Sequence, residues 1–286
     1  MNRHQVVKYL GRSRKAHLKR HPQMVCFAFD SISARIVVEG RYEASLLNFL
    51  QQNLFPKLAE RGLCLDIGAN IGNHSLCFAE NFENVYSNEP NLKTFQLLQI
   101  NACLVGNITP FNVGLSNQSQ RMTAYVWPSN MGGATVEPSQ AERSAARGRY
   151  ELHEFELVTL DSVLNDKDKG RVGFIKIDVE RHEYKVLQGA RNTIEASKPV
   201  IAFELLKSGI KDGKSDVVEL LKSFGYQCFC DIKSTVMGSV DFFRLSQNVL
   251  PDFLHDKLKR VIVHETKALR KTNYPLILAS REKLFG

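Results

Sequence analysis

GLCLDIGANIGNHSLCF, residues 62–78, is the stretch on which the fold turns. Leu63, Cys64, Leu65 and Ile67 form a short apolar run, the mark of a strand buried on both faces. The run ends in Asp66-Ile67-Gly68, and Gly68-Ala69-Asn70-Ile71-Gly72 follows as a tight turn of small residues. A helix then begins near Asn73 and carries Leu76, Cys77 and Ala79 inward. Strand, glycine turn and helix start together present unpaired backbone N–H groups. Glycine lets a ligand come close to the chain, so the motif suits an anionic or polar ligand.

Spacing decides which ligand. A dinucleotide fingerprint, G-x-G-x-x-G, would place Gly68, Asn70 and Asn73 in frame, and it fails. The frame that fits is D-x-G-x-N-x-G, from Asp66 to Gly72. It resembles motif I of the class I S-adenosylmethionine-dependent methyltransferases, with Asn70 where many members carry the middle glycine. Val85 to Pro90 reads as a second strand ending in an acid, Glu89. A carboxylate there can accept both hydroxyls of a ribose. Alone, such an acid is an ordinary exposed strand end; one β-α unit after the turn, it completes a nucleoside site.

The totals set outer bounds. With 286 residues, 43% of them hydrophobic, the chain suits one large domain with decorations. No apolar run approaches the roughly 18 residues of a membrane span. Six cysteines sit mostly in apolar segments, and Cys228-Phe229-Cys230 lacks the C-x-x-C spacing of zinc or redox pairs. Buried thiols in a reducing, cytoplasmic compartment are therefore expected. The net charge of +8 is a property of one end: Met1 to Gln23 holds seven of the 38 Lys and Arg and none of the 30 acids. The tail lacks the apolar core of a secretory signal, while a mitochondrial presequence shares its composition. It reads as a solvated arm, or as an attachment to an anionic membrane surface, polyanionic glycan or nucleic acid.

Three segments follow: a basic arm over 1–23, a cover over 24–61 and a catalytic domain over 62–286 with an insert at about 116–160. In the cover, Val25 to Phe29 and Arg35 to Val38 read as a β-hairpin, and Gly40 opens a helix running to about Leu58. Beyond Glu89, Asn91 caps a helix to about Leu104, and Ile108 to Val113 is a third strand. The turn at Asn112 and Val113 offers backbone contact to an adenine. Three β-α units in order argue for an α/β, doubly wound, mostly parallel sheet with its site beyond the strand C-termini. In the insert, Met122 to Trp127 and Phe155 to Leu160 read as a strand pair, Ser129 to Thr135 as a flexible loop, and Asp161 as a helix cap. The insert can form a lid over the site or a tolerated excursion. Gly173 to Glu180 and Pro199 to Glu204 are further core strands ending in acids; a helix from Tyr184 to Ile194 packs between them. Pro251 starts a long helix including Val261 and Ile262, and Tyr274 to Ser280 is a final strand.

The pieces Tyr42-Glu43, LDIGANIGN at 65–73, Asn88-Glu89-Pro90, TLDSVL at 159–164 and FIKIDVERHEYKVLQGA at 174–190, with FELL at 203–206, resemble the FkbM family of class I methyltransferases. One residue departs: Arg181 stands where members carry glycine after D-V-E, and a contact with an acidic acceptor would account for it. The resemblance implies a seven-stranded Rossmann-like sheet, S-adenosylmethionine as cofactor, and O-methylation of a sugar, glycan or natural-product acceptor. Asp66, Gly68, Asn70, Gly72, Asn73, Glu89, Asn112, Val113, Asp178, Tyr42 and Glu43 are the expected cofactor residues. The chemistry needs a base to take the hydroxyl proton, worth about 10²–10⁴-fold. Asp178, Glu180, His182 and Glu204 are the candidates at adjacent strand ends. Clustered acids could instead hold a divalent metal, but the D-x-D at Asp166-Lys167-Asp168 lies outside that cluster and no H-x-x-x-E pattern is present, so none is assigned. Lys176, inside a strand, and Lys207, at a turn, have no expected catalytic role. A nucleic-acid methyltransferase is the rival reading; the fourth strand ends in IDVE rather than the N-P-P-aromatic or D-P-P-aromatic loop of base methylation. A non-catalytic module retaining only the fold is the third. The sequence leaves the oligomeric state open, and it places the enzyme in the cytoplasm or at the inner membrane face.

Overall fold

The structure is a computed structural model that describes residues 8, 11, 14–127, 130–135, 150–236, 259–266 and 268–285. Most of the basic arm and the proposed start of a helix at Pro251 lie outside these residues. So does the charged end of the insert at 136–149.

Period-two burial builds the main sheet. In β1 (Leu63–Ile67), Leu63, Leu65 and Ile67 enter one core while Cys64 enters the other. β2 (Asn84–Asn88) and β3 (Ile108–Phe111) extend the sheet on one side of β1 in parallel. β8 (Val172–Ile177) and β9 (Val200–Leu205) extend it in parallel on the other. β12 (Tyr274–Ser280), β10 (Cys228–Val236) and β11 (Lys259–Glu265) then add antiparallel strands. The order is β3-β2-β1-β8-β9-β12-β10-β11, eight strands among the described residues. The chain reverses direction of winding between β1 and β8, so a crevice opens at their carboxyl ends.

The insert forms a second sheet. β4 (Gly114–Leu115), β5 (Gln120–Trp127), β6 (Asn130–Thr135) and β7 (Glu151–Val158) pair in the order β4-β7-β5-β6 around Ala124, Val126, Phe155 and Leu157. The expected flexible loop at 129–135 is thus largely strand β6, whose hydrogen bonds to β5 outweigh two consecutive glycines.

Several expectations change. No hairpin forms: residues 25–29 hold no strand, and residues 31–39 form a helix, α1 (Ser31–Glu39). The Asp30 carboxylate accepts from the N–H groups of Ile32 and Ser33, and Gly40 closes the other end in the left-handed conformation. A cap is worth about 1 kcal/mol, which offsets much of the few tenths that each of the four β-branched residues costs the helix. Gly40 therefore ends one helix; the next, α2 (Ala44–Phe49), starts at Ala44 and continues as a π-turn and a 3-10 turn to Lys57. Phe55, from its end, meets the rings of Phe78, Phe82 and Phe174 edge-on at 5.1–5.8 Å, which pins the cover to the sheet.

α3 (Asn73–Ala79) and α4 (Leu92–Ala102) begin where the sequence places them, and Asn91 caps α4. Thr159, not Asp161, caps the turn at 160–163; the Asp161 carboxylate instead accepts from the N–H groups of Asn192 and Thr193. The single helix expected through Tyr184 and Ile194 is two, α5 (Glu183–Gln188) and α6 (Arg191–Ser197). They meet at Gly189 and Ala190, and a Cβ at Gly189 would collide with the Ser116 carbonyl. α7 (Asp216–Ser223) follows, with Ser215 at its N-cap position but no side-chain capping bond from it. Val261 and Ile262 lie in β11, not in a helix, because they complete the sheet edge against β10. Of the six free cysteines, Cys64, Cys77 and Cys230 are buried, whereas Cys103 is exposed. Among the described residues no helix is long and apolar enough to cross a membrane.

Candidate functional site

At the crevice, Gly68 takes φ +79, and a Cβ on it would collide with the carbonyl oxygen of Asp178. Only glycine lets β1 and β8 end this close together. The N–H groups of Gly68 and Ala69 both reach the Asn88 carbonyl at 3.0 Å, so the turn folds over the end of β2. Asn70, also left-handed at φ +51, points its N–H at Glu89 Oε2, 3.1 Å away; Asn91 N–H holds Oε1 at 2.8 Å. Glu89 is thereby fixed beside the glycine turn. Burial pushes its carboxyl up to about 7 despite those two hydrogen bonds.

Two cavities share these walls. The larger, about 310 Å³, is lined by Tyr42, Glu43, Gly68, Asn70, Asn73 and Glu89 together with Lys176, Asp178, Glu180 and Glu204. The smaller, about 80 Å³, has a mainly apolar lining from Pro90, Leu115, Ala134, Phe155 and Leu157, with Asn88 and His182 as polar members. Gly68, Glu89, Asp178 and Glu180 line both. The side-chain nitrogen of Asn88 is buried without a hydrogen-bond partner among the described residues.

Asn73 builds the near wall by exchanging hydrogen bonds with the Tyr42 backbone, at 2.9 and 3.0 Å. Arg41, buried one residue earlier, is held by Glu80, Gln51 and His21. Glu43 sits at φ +55 and pairs with His74 at 3.1 Å. Burial raises the Glu43 carboxyl, but the His74 hydrogen bond and charge outweigh it and leave it below the usual range.

Lys176 has a structural part in the site that the sequence reading did not give it. Register aligns Ser87, Asp66 and Lys176 across β2, β1 and β8 on one face of the sheet. Ser87 donates to Ser75, Ser75 donates to Asp66 at 2.6 Å, and Lys176 Nζ lies 3.4 Å from both Asp66 and Asp178. It also donates to the Gly68 carbonyl at 3.1 Å. Burial would strip its proton, yet Asp178, Asp66 and Glu43 outweigh burial and hold it charged well above the ordinary lysine value. Lys176 therefore ties the glycine turn to Asp178 from beneath the larger cavity. Asp66 itself lines neither cavity; it is fully buried as the counter-charge of Lys176.

The remaining candidates separate. Glu204 faces the larger cavity, and burial, reinforced by the charges of Asp178, Glu180, Glu183 and Glu43, lifts its carboxyl to about 8. His182 faces the smaller one, where its Nε2 is 2.9 Å from Ser116 Oγ; burial and then Lys185 lower it to about 4. Gly72 lies behind the turn against Leu98. Asn112 donates to the carbonyls of Glu89 and Pro90, bracing the acidic loop; neither Asn112 nor Val113 lines either of these two cavities. Lys176, His74 and Asn88 are the site residues that sequence reading missed. Only the period-two alternation of β1 and β8 signalled the first of them.

The Methyltransferase FkbM domain matches residues 66–228. Hexuronic acid methyltransferase AglP of Haloferax volcanii is 30% identical over 154 residues, which are 52% of this chain. The match takes in 58% of that relative's length. Among solved structures, a methyltransferase FkbM of Methylobacillus flagellatus KT is 17% identical, over 79% of this chain and 56% of that one, with a TM-score of 0.38. Magnesium protoporphyrin IX methyltransferase of Synechocystis PCC 6803, solved with bound SAM, is 9% identical over 99% of this chain and 98% of that one, with a TM-score of 0.41. With more than half of its residues matched by that domain, the chain belongs to the FkbM methyltransferase family.

Proposed function

We propose that the chain is an S-adenosylmethionine-dependent methyltransferase acting on a hydroxyl of a sugar or glycan. The carrying observation is the pair of cavities joined at Gly68, Glu89, Asp178 and Glu180. The residues present fit the cofactor. A flat adenine suits the apolar slot between Pro90, Leu115, Phe155 and Leu157, and the unpartnered Asn88 amide supplies a donor there. Each Glu89 oxygen has one lone pair taken by a backbone N–H and one left for a ribose hydroxyl. Asn70, Asn73, Tyr42 and Glu43 would hold the amino-acid end.

When bound, S-adenosylmethionine supplies a sulfonium methyl group open to in-line attack by an oxygen. Orientation is the chain's main contribution: Asp178, fixed by Lys176, and Glu180 stand where the two cavities meet and can direct an acceptor hydroxyl. Glu204 is the base this environment favours, since a carboxyl near 8 in its ionised form accepts a proton far better than an ordinary one. His182, lowered to about 4 and bonded to Ser116, stays neutral and serves the nucleoside side. The hexuronic acid named for the archaeal relative supports a sugar acceptor.

Calorimetric titration tests the reading. Wild type should bind S-adenosylmethionine, and Glu89→Ala should weaken binding about 10–100-fold while the variant remains folded, as expected for losing charge-assisted bonds of about 1.5–3 kcal/mol. No heat with wild type, or equal affinity in the variant, overturns it.

A further inference from the structure

α1 is turned the unusual way round for a surface helix: Ser33 and Ile36 are buried, whereas Ala34, Arg35 and Val37 are exposed. Phe29, in the turn before its cap, is 98% exposed, so the protein covers almost none of the ring. Exposed apolar side chains standing singly are ordinary, but a bare phenylalanine forgoes the whole gain of burial. Leu18, Val25 and Val37 are also exposed, which places four such side chains within residues 18–37. These residues belong to one layer. His17 Nε2 lies 2.8 Å from the Val38 carbonyl oxygen, the rings of His17 and His21 pack against Gly40, and Asn101 holds both backbone groups of Val25.

The exposed charge of the layer is cationic. Arg14, Lys15, Lys19, Arg20 and Arg35 all reach solvent, and among the described residues none of them enters an ion pair. Residues 1–29 contain no acid. Of the acids that follow, Asp30 is buried and caps α1, Glu39 is partly buried, and Glu43 pairs with His74. Apolar side chains set among cations match the headgroup region of an anionic bilayer: the ring enters the acyl boundary while the cations meet the lipid charges. A nucleic acid or a sulfated glycan would use the cations but offer Phe29, Leu18 and Val37 nothing apolar to enter. Ser31, exposed one helical turn before Arg35, also lines the larger cavity, so that cavity adjoins the layer.

We infer that residues 14–37 form a docking face for an anionic lipid bilayer, with Phe29 as the inserting side chain and the exposed cations as the lipid contacts. Docking brings the larger cavity close to the headgroups. The face is defined by its own residues and does not depend on which reaction that cavity performs.

Co-sedimentation of the full chain with vesicles at physiological salt tests it, comparing phosphatidylcholine alone with an equimolar mixture of phosphatidylcholine and phosphatidylglycerol. Wild type should sediment with the mixed vesicles and hardly with the neutral ones. Phe29→Ser should weaken binding to the mixed vesicles about 10-fold. The double change Lys19→Gln and Arg20→Gln should weaken it about 25-fold, since each cation near such a surface is worth about fivefold. Both changes fall on exposed side chains, so the variants should keep the wild-type circular dichroism spectrum. Wild-type binding that is absent or equal for the two kinds of vesicle, or an unchanged affinity in either folded variant, overturns the docking face. Retention on heparin without binding to the mixed vesicles assigns the cations to a polyanion and overturns it as well.

Discussion

Lys176 stands inside β8 where an alternating strand ordinarily buries an apolar side chain. Its ammonium and the Asp66 carboxylate are withdrawn from water together, and each is tolerable only because of the other. Lys176→Met should therefore cost about 3–5 kcal/mol in urea unfolding, because Asp66 is left buried and uncompensated. Adding Asp66→Asn should recover part of that loss. Strict additivity of the two single changes would show that the pair is not coupled. Arg181 makes the opposite case: its left-handed backbone costs roughly 1–2 kcal/mol, which glycine would avoid at a smaller cost in chain entropy. Arg181→Gly is expected to gain up to about 1 kcal/mol. A measured loss would mean that the side chain stabilises the fold by more than its backbone strains it.

At the level of elements, α1 shows where propensity is a poor guide. Ile32, Ile36, Val37 and Val38 favour a strand, yet Asp30 and Gly40 close a helix that buries Ser33 and Ile36 and leaves Val37 exposed. Asp30→Ala should cost about 1 kcal/mol of stability and reduce helix signal in circular dichroism; an unchanged midpoint would place the determinant elsewhere. The segment from β1 through α4 was legible because each local signal there agrees with the others: a doubly buried strand, glycine at positive φ and a capping Asn91. β6 and β11 were not, since their pairing partners β5 and β10 supply the ordering and no local pattern records it. The site divides in the same way. Gly68 and Glu89 obey a spacing set by neighbouring residues. Lys176, His74 and Asn88 reach it only through strand register and packing.

For the whole molecule, gathering carboxyls at one end of the sheet has a consequence for stability. Burial raises Glu89 and Glu183 to about 7 and Glu204 to about 8, while the unfolded chain ionises glutamate near ~4.3. Their contribution is complete below the unfolded value and is lost as pH rises through 7–8, since the unfolded state then binds fewer protons. His21 and His182, lowered to about 4, act in the other sense: their stabilisation is lost as pH falls below the unfolded value near ~6.5. The two effects offset each other between about pH 4.5 and 6.5, and only the carboxyls remain above. The cofactor-free protein should accordingly lose thermal stability between about pH 6.5 and 8 at constant ionic strength. Glu204→Gln, which cannot ionise, should unfold at a higher temperature than wild type at pH 8 and fall less steeply across that window. A flat or rising wild-type midpoint, or a variant curve parallel to it, would mean that the crowded carboxyls do not govern the alkaline side of the stability curve.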